Sequence, residues 1–244
     1  MQTRPILIML TGDASDRIID RTGNYDDMFL RMADYGDAGA TVVAVAKGEV
    51  PESPEHYSGT IVTGSPAFVT DKEPWSVKSG EWLRAAAEGG HKIFGVCYGH
   101  QLLGQALGGE AAYLPYRMEI GTHAITVAPG MPRHPLLPEL PPVFKANLIH
   151  SQAVTVLPPG TTILAYNEND PHQILAYGPN VISMQFHPEF DRDVTQSLID
   201  LVLGTADPAG RALAKGIRLG APAEDTPEAV AILRQFVTRC RADG

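Results

Sequence analysis

Of the two cysteines in the chain, Cys97 sits where a thiol could do chemistry. It lies in Gly95-Val96-Cys97-Tyr98-Gly99-His100-Gln101, between a strand-like run, His91 to Val96, and the helix-like Leu102-Leu103-Gly104-Gln105-Ala106-Leu107. A nucleophile flanked by small residues at a strand-to-helix turn is a nucleophile elbow. The small neighbours permit a tight, strained backbone, and the turn lifts the side chain clear of the sheet. The positive end of the following helix favours a thiolate, and its free N–H groups can hold an oxyanion. A lone cysteine is otherwise most often a buried packing residue, so the assignment needs a second observation. Gln185-Phe186-His187-Pro188-Glu189-Phe190, far downstream and just past the strand-like Val181 to Phe186, supplies it. Period-two alternation there puts His187 and Glu189 on one side. The imidazole can then take the thiol proton while the carboxylate holds its other ring nitrogen.

These groups need a scaffold. Residues 5–11 read as a first buried strand, followed by a polar loop from Gly12 to Gly23 and a helix near Tyr25–Tyr35. Thr41–Val45 and Gly59–Thr63 are β-branched runs, and a helix follows near Trp75–Glu88 with Trp75 and Trp82 on its apolar face. Strands alternating with helices predict βαβ units and a parallel sheet covered on both sides. After Gly109 the segments Gly121–Val127, Val143–Leu148, Val154–Leu157, Thr161–Asn167, Gln173–Tyr177 and Val181–Phe186 predict antiparallel additions to that sheet. The chain returns to helix from about Asp191 to Leu203, and residues 1–204 are expected to form the main domain. Residues 205–244 read as a helical extension packed on it. Gly204 to Asp225 holds at most a short helix, and Thr226 is the N-cap of a terminal helix with Pro227 at its first position. The stripe Ala229, Leu233, Phe236 marks its packed face, with partner docking as the alternative use.

Composition excludes several function classes. A net charge of −9 without a basic run argues against a nucleic-acid partner. The N-terminal apolar run Ile6–Leu10 is too short for a membrane span or a signal core, so a cytosolic protein is expected. The cysteines and histidines show no metal-ligand spacing and no cofactor fingerprint, so neither metal nor cofactor is expected. His100 reads as an exposed first-turn residue of the elbow helix, and the two tryptophans read as helix packing.

The elbow and the later His-Pro-Glu resemble the class I glutamine amidotransferases over roughly residues 5–203, and in particular stand-alone proteins related to the glutaminase domain of GMP synthase. An α/β-hydrolase is the poorer match, because its acid precedes its histidine. The resemblance implies a flavodoxin-like three-layer α/β sandwich with a mostly parallel central sheet. It also implies hydrolysis of a γ-glutamyl amide through a thioester on Cys97, with His187 and Glu189 completing a triad. Thr63-Gly64-Ser65-Pro66 is similar to the family's oxyanion loop, which implies that the main-chain N–H groups of Ser65 and Tyr98 form the oxyanion hole. Serine replaces the family's glycine at position 65; a main-chain donor survives that change, but the loop loses freedom to flip. Gln101 matches the family's contact to the amino-acid head of the substrate. His150-Ser151-Gln152 matches a pocket segment in which Gln152 replaces the usual aspartate. Three uses of such a site stay open: ammonia donor to a separate synthetase subunit, free-standing γ-glutamyl hydrolase or peptidase, or a binding protein of the same fold.

Overall fold

The computed structural model describes residues 4–204 and 207–242. Its centre is β1 (Ile6–Leu10), a strand with all five residues buried, as expected of a strand covered on both faces. β2 (Ala40–Ala44) and β3 (Gly59–Val62) pair with it in parallel, β4 (Ile93–Val96) pairs in parallel with β3, and β11 (Val181–Met184) with β4. Beyond β11 the direction reverses. β10 (Ile174–Ala176) and β9 (Thr162–Tyr166) run antiparallel, β6 (Met118–Val127) pairs antiparallel with β9 and with β7 (Val143–His150), and β12 (Ile217–Leu219) closes the edge beside β6. β5 (Glu110–Tyr113) and β8 (Gln152–Val156) form a small separate sheet.

Alternation sorts the side chains into layers. Ile6, Ile8, Ile61 and Phe94 face α2 (Tyr25–Met32) and α7 (Pro227–Ala242), whose Leu233, Phe236 and Val237 share their cluster. Leu7, Met9, Val62 and Ile93 face the opposite way, towards α3 (Pro74–Glu88) and α4 (Tyr98–Ala106). A third cluster joins α1 (Asp16–Thr22), α5 (Arg192–Leu203) and α6 (Pro208–Ala214) to the β6 and β12 side. The result is an α/β sandwich around a large sheet, with its parallel half at β1 and antiparallel strands added beyond β11. Among the described residues no helix is long and apolar enough to cross a membrane.

Several elements depart from the sequence reading. The Gly12–Gly23 stretch is no loop: it contains α1, a short helix with charged residues on most sides and Ile18 as its buried residue, so it carries no apolar stripe. β5 and β12 were not expected, and both are too short to show a pattern of their own; β12 lies within the stretch read as at most a short helix. The terminal helix begins at Pro227, but the Thr226 hydroxyl is buried without a hydrogen-bond partner among the described residues, so its side chain does not cap α7. The apolar stripe of α7 is fully packed against the sheet, and so is not an open docking face. Residues 205, 206, 243 and 244 of the expected extension lie outside the described residues.

Candidate active site

β1, β3, β4 and β11 are parallel neighbours, so their carboxyl ends share one edge of the sheet. Ligands bind at such edges in open α/β sheets. The chain leaves those four ends at Thr11, Thr63, Cys97 and Gln185, which brings distant sequence segments together.

Cys97 follows β4 directly and adopts φ 51°, ψ −100°, a left-handed backbone that costs a non-glycine residue energy. Its neighbours permit this. A Cβ on Gly99 would come within 2.5 Å of the Val62 carbonyl oxygen, and one on Gly95 within 2.7 Å of the Gly99 carbonyl oxygen. The elbow is held by hydrogen bonds from Cys97 N to Met184 O at 2.9 Å and from Gly99 N to Thr63 O at 3.2 Å. The thiol points at the Ile149 carbonyl oxygen, 3.6 Å away.

His187 and Glu189 also meet, though not by strand alternation. β11 ends at Met184, and both residues lie in a turn closed by Phe190 N donating to His187 O at 3.4 Å. His187 Nδ1 donates to Glu189 Oε1 at 2.7 Å, which leaves Nε2 as the nitrogen turned away from the carboxylate. The imidazole meets two packing constraints. Phe190 stacks on it with ring centroids 3.9 Å apart and planes 3° from parallel. A Cβ at Gly64 would sit 2.8 Å from His187 Cε1 and 3.7 Å from Cys97 Cβ, so the imidazole and the cysteine flank one bare glycine. Burial opposes charge on His187, but the charges of Glu189 and Cys97 outweigh it and hold its pKa up at about 10.

That shift makes a pH-dependent prediction. A group whose pKa rises on folding, here from an ordinary 6.5, contributes stability that is complete below 6.5 and is lost as pH rises through about 10. The melting temperature of the wild type is therefore expected to fall over that interval more steeply than that of His187→Gln. Equal slopes would mean that Glu189 and Cys97 do not hold the proton.

The loop at residues 63–66 is fixed from behind. The Ser65 side chain points away from Cys97: its hydroxyl donates to Thr11 O at 2.7 Å and accepts from Ala67 N at 3.1 Å. The Gly64 carbonyl oxygen lies 2.9 Å from both the Thr11 and the Thr63 hydroxyls, which are fully buried. Thr63 Oγ1 accepts from Thr11 N at 3.1 Å, so its one proton is free for Gly64. A trans peptide directs its N–H opposite its C=O. The Ser65 N–H therefore points away from the threonine pair, and Ser65 is among the residues that line the cavity with Cys97 and Tyr98. Tyr98 is the first residue of α4, where a helix N–H has no intrahelical acceptor.

This cavity measures about 240 Å³. Gln101, Ser151 and Gln152 line it together with Cys97. Gln101 Nε2 donates to Gln152 O at 2.7 Å and Gln185 Oε1 at 3.1 Å, so its own carbonyl is the group left to serve a ligand. Gln152 Nε2 donates to Thr70 Oγ1 at 2.6 Å, and its Oε1 is buried without a partner among the described residues. Behind them His150 donates to Gln152 O at 3.0 Å and to Glu119 at 2.9 Å. Burial opposes its charge, but the Glu119 carboxylate beside it raises the pKa, so the pair is an ion pair. Asn167 and Asn169 also donate to Glu119, at 2.7 and 2.9 Å.

His100 is not exposed. It is fully buried, with Nδ1 2.7 Å from Ser183 Oγ, and burial followed by the charges of His172 and His150 lowers its pKa to about 3. The first turn of α4 is buried, and His100 faces its interior side rather than the cavity that Tyr98 and Gln101 line. Trp75 and Trp82 do pack: Trp75 stacks on Tyr98 at 5.5 Å, and Trp82 donates to Glu52 O at 3.0 Å. Phe190, Asn147 and Tyr25 were not found by sequence reasoning. Asn147 O accepts from His187 N at 2.8 Å while its side chain donates to Phe190 O at 3.0 Å, which pins the turn that carries His187. Only the adjacency of Phe190 to the His-Pro-Glu hinted at any of these roles.

Among the described residues no group of three or more His, Cys, Asp and Glu side chains is arranged to hold a metal. Residues 18–200 match the family model described as glutamine amidotransferase class-I. The chain is 28% identical over 208 residues to gamma-glutamyl peptidase 4 of Arabidopsis thaliana, covering 83% of this chain and 82% of that one. It is 36% identical over 131 residues to a glutamine-hydrolysing GMP synthase of Thermomicrobium roseum, covering 54% of this chain and 23% of the synthase. A glutamine amidotransferase structure from Thermotoga maritima superposes with a TM-score of 0.73 at 18% identity, covering 98% of this chain and 99% of that one. With its fold, its elbow and a family match spanning most of its length, the chain belongs to the class I glutamine amidotransferases.

Proposed function

We propose that the chain hydrolyses γ-glutamyl amides through a thioester on Cys97, and that it does so without a partner subunit. With its proton already on His187, which Glu189 orients and holds charged, Cys97 attacks the γ-carbonyl as the thiolate; the N–H groups of Ser65 and Tyr98 receive the developing oxyanion. The C–N bond breaks as His187 returns the proton to the leaving amine. Water, deprotonated by His187, then cleaves the thioester, and the thiol is restored. The free acceptor atoms of Gln101 and Gln152 suit the α-ammonium of the glutamyl head, with Ser151 alongside.

The observation that carries this reading is the orientation of the Gly64–Ser65 peptide, locked by the Thr11 and Thr63 hydroxyls. A glutaminase that waits for a synthetase benefits from an oxyanion hole that is unformed alone, whereas a free-standing hydrolase needs one formed already. The second reading, ammonia donor to a synthetase subunit, is supported by the likeness to GMP synthase. Steady-state hydrolysis by the purified chain across glutamine, glutathione and other γ-glutamyl amides separates the two. The free-standing reading expects turnover of at least one of them on the order of 1–10³ per second. Silence on all of them, reversed by a co-purifying protein, would overturn it.

A further inference from the structure

Resting on the hydrolase reading above, we infer that Glu119, which does not line the cavity, is a positioning residue for the glutamyl head. Acting through His150, it pins the corner that presents Ser151, Gln152 and the acceptor for the Gln101 amide.

The topology makes that corner demanding. β7 belongs to the large sheet and β8 to the small one, and Ser151 alone separates them, so the chain changes sheets within one residue. Three features of the site hang on this change. The Ile149 carbonyl oxygen faces the Cys97 thiol at 3.6 Å, Ser151 and Gln152 line the cavity, and Gln152 O receives Gln101 Nε2 at 2.7 Å. A displacement of the corner therefore moves the polar groups of the pocket together. His150, the last residue of β7, ties the two strand ends, because its Nδ1 donates forward to Gln152 O at 3.0 Å.

Glu119 is the residue directly opposite His150 in the pairing of β6 with β7, and its Oε2 accepts from His150 Nε2 at 2.9 Å. Both ring nitrogens of His150 thus face oxygens that only accept, a main-chain carbonyl and a carboxylate. A neutral imidazole donates from one nitrogen and would turn a lone pair towards the other oxygen. The carboxylate keeps both protons on the ring and fixes its plane. Glu119 is itself held: its Oε1 accepts from Asn167 at 2.7 Å and Asn169 at 2.9 Å, and His123 Nδ1 lies 3.1 Å away. Burial opposes the charge on Glu119, but the bond from His150, then the charges of His150 and His123, hold its carboxyl below the usual range. The other ionisable groups facing His150 are Asp170 and Cys97, whose charges favour the imidazolium, and His100, which burial keeps neutral.

Stability is a poor reason for this arrangement. Removing two ions from water costs about as much as their attraction returns, so a buried ion pair secures geometry more than free energy. The geometry it secures here is that of the pocket segment.

The test reads KM and kcat apart for the full chain, with glutamine and glutathione as substrates. Active sites are counted by labelling Cys97 with the diazoketone analogue of glutamine, so that a misfolded fraction alters neither constant. Glu119→Gln still offers an oxygen to the two asparagines and an N–H to His150 Nε2, which leaves the Nδ1 proton on Gln152 O. Its KM is expected to stay within about 3-fold of wild type. Combining Glu119→Gln with His150→Leu removes the tie without leaving a buried carboxylate unpaired. The double variant is expected to fold, with KM raised about 10-fold and kcat changed less, as for one hydrogen bond lost from binding. A folded double variant with wild-type KM overturns the positioning role, and so does a loss confined to kcat. A double variant that does not fold overturns it too, since the pair would then serve stability. If the wild type turns over neither substrate, the hydrolase reading fails by itself. The pin is then read from the diazoketone concentration that half-saturates labelling of Cys97, which is expected to rise about 10-fold in the double variant. No rise would overturn the pin as well.

Discussion

Cys97→Ala is expected to abolish γ-glutamyl hydrolysis while the protein still folds. No other nucleophile lines the cavity with the same elbow support, and the general base alone has nothing to activate for acyl transfer. Cys97 is more buried than an exposed elbow would be, at 7%, and it borders the main core cluster, so alanine will also cost some packing. Cys97→Ser keeps the shape and separates the two effects: it is expected to stay folded and to remain nearly inactive. An electrophilic glutamine analogue should label Cys97 and spare Cys240, which is fully buried against Gly59 and Phe236. His187→Ala is expected to cost roughly 10²–10⁴-fold in kcat/KM through loss of the acid–base group. Glu189→Gln should cost less, since its carbonyl can still accept the Nδ1 proton at the 2.7 Å contact, although the charge that raises the imidazole is gone. Measured rates in the opposite order would reverse the roles given to the two residues. Labelling chiefly at Cys240, or full activity in Cys97→Ala, would remove Cys97 from the chemistry.

The sequence carries the parallel half of this protein clearly because its physics is local. β1 and β4 are continuous apolar runs, and β3 and β11 are interrupted only by the buried Thr60 and Ser183, the signature of strands buried on both faces. The elbow is equally legible, since its strained cysteine needs Gly95 and Gly99 beside it, and both are visible as residue types. What escapes is whatever depends on distant segments. His187 and Glu189 face each other because a turn is pinned by Asn147 on β7, whereas the alternation argument put them on one side for a different reason. His100 was misjudged because elbow helices begin at a loop, which suggests water; here that first turn is buried. The short strands β5 and β12 exist through pairing with partners elsewhere in the chain, and three or four residues cannot display a period. The threonine clamp behind Gly64 joins the ends of β1 and β3, and nothing in either segment alone marks it.

That clamp gives the Ser65 series its expected order. Ser65→Pro deletes the main-chain N–H assigned to the oxyanion and is expected to lower kcat by roughly 10²–10³-fold, with some further loss from distortion beside Pro66. Ser65→Gly keeps the N–H and should retain most activity, because the serine side chain points towards Gly12, where an added Cβ would meet its Oγ at 2.6 Å. Glycine does lose the bonds to Thr11 O and Ala67 N, each worth about 0.5–1.5 kcal/mol of net stability at most, so a modest loss is expected. Ser65→Ala removes the same bonds without adding backbone freedom, and its difference from Ser65→Gly reads how far the loop needs restraint. Thr63→Val takes away the proton directed at the Gly64 carbonyl while preserving shape, and should lower kcat with little change in KM, since Gln101, Ser151 and Gln152, proposed to hold the amino-acid head, make no hydrogen bond with Thr63. If Ser65→Pro keeps wild-type kcat, the oxyanion is not held by that peptide. If Ser65→Gly falls as far as Ser65→Pro, the hydroxyl anchor, rather than the N–H alone, sets the rate.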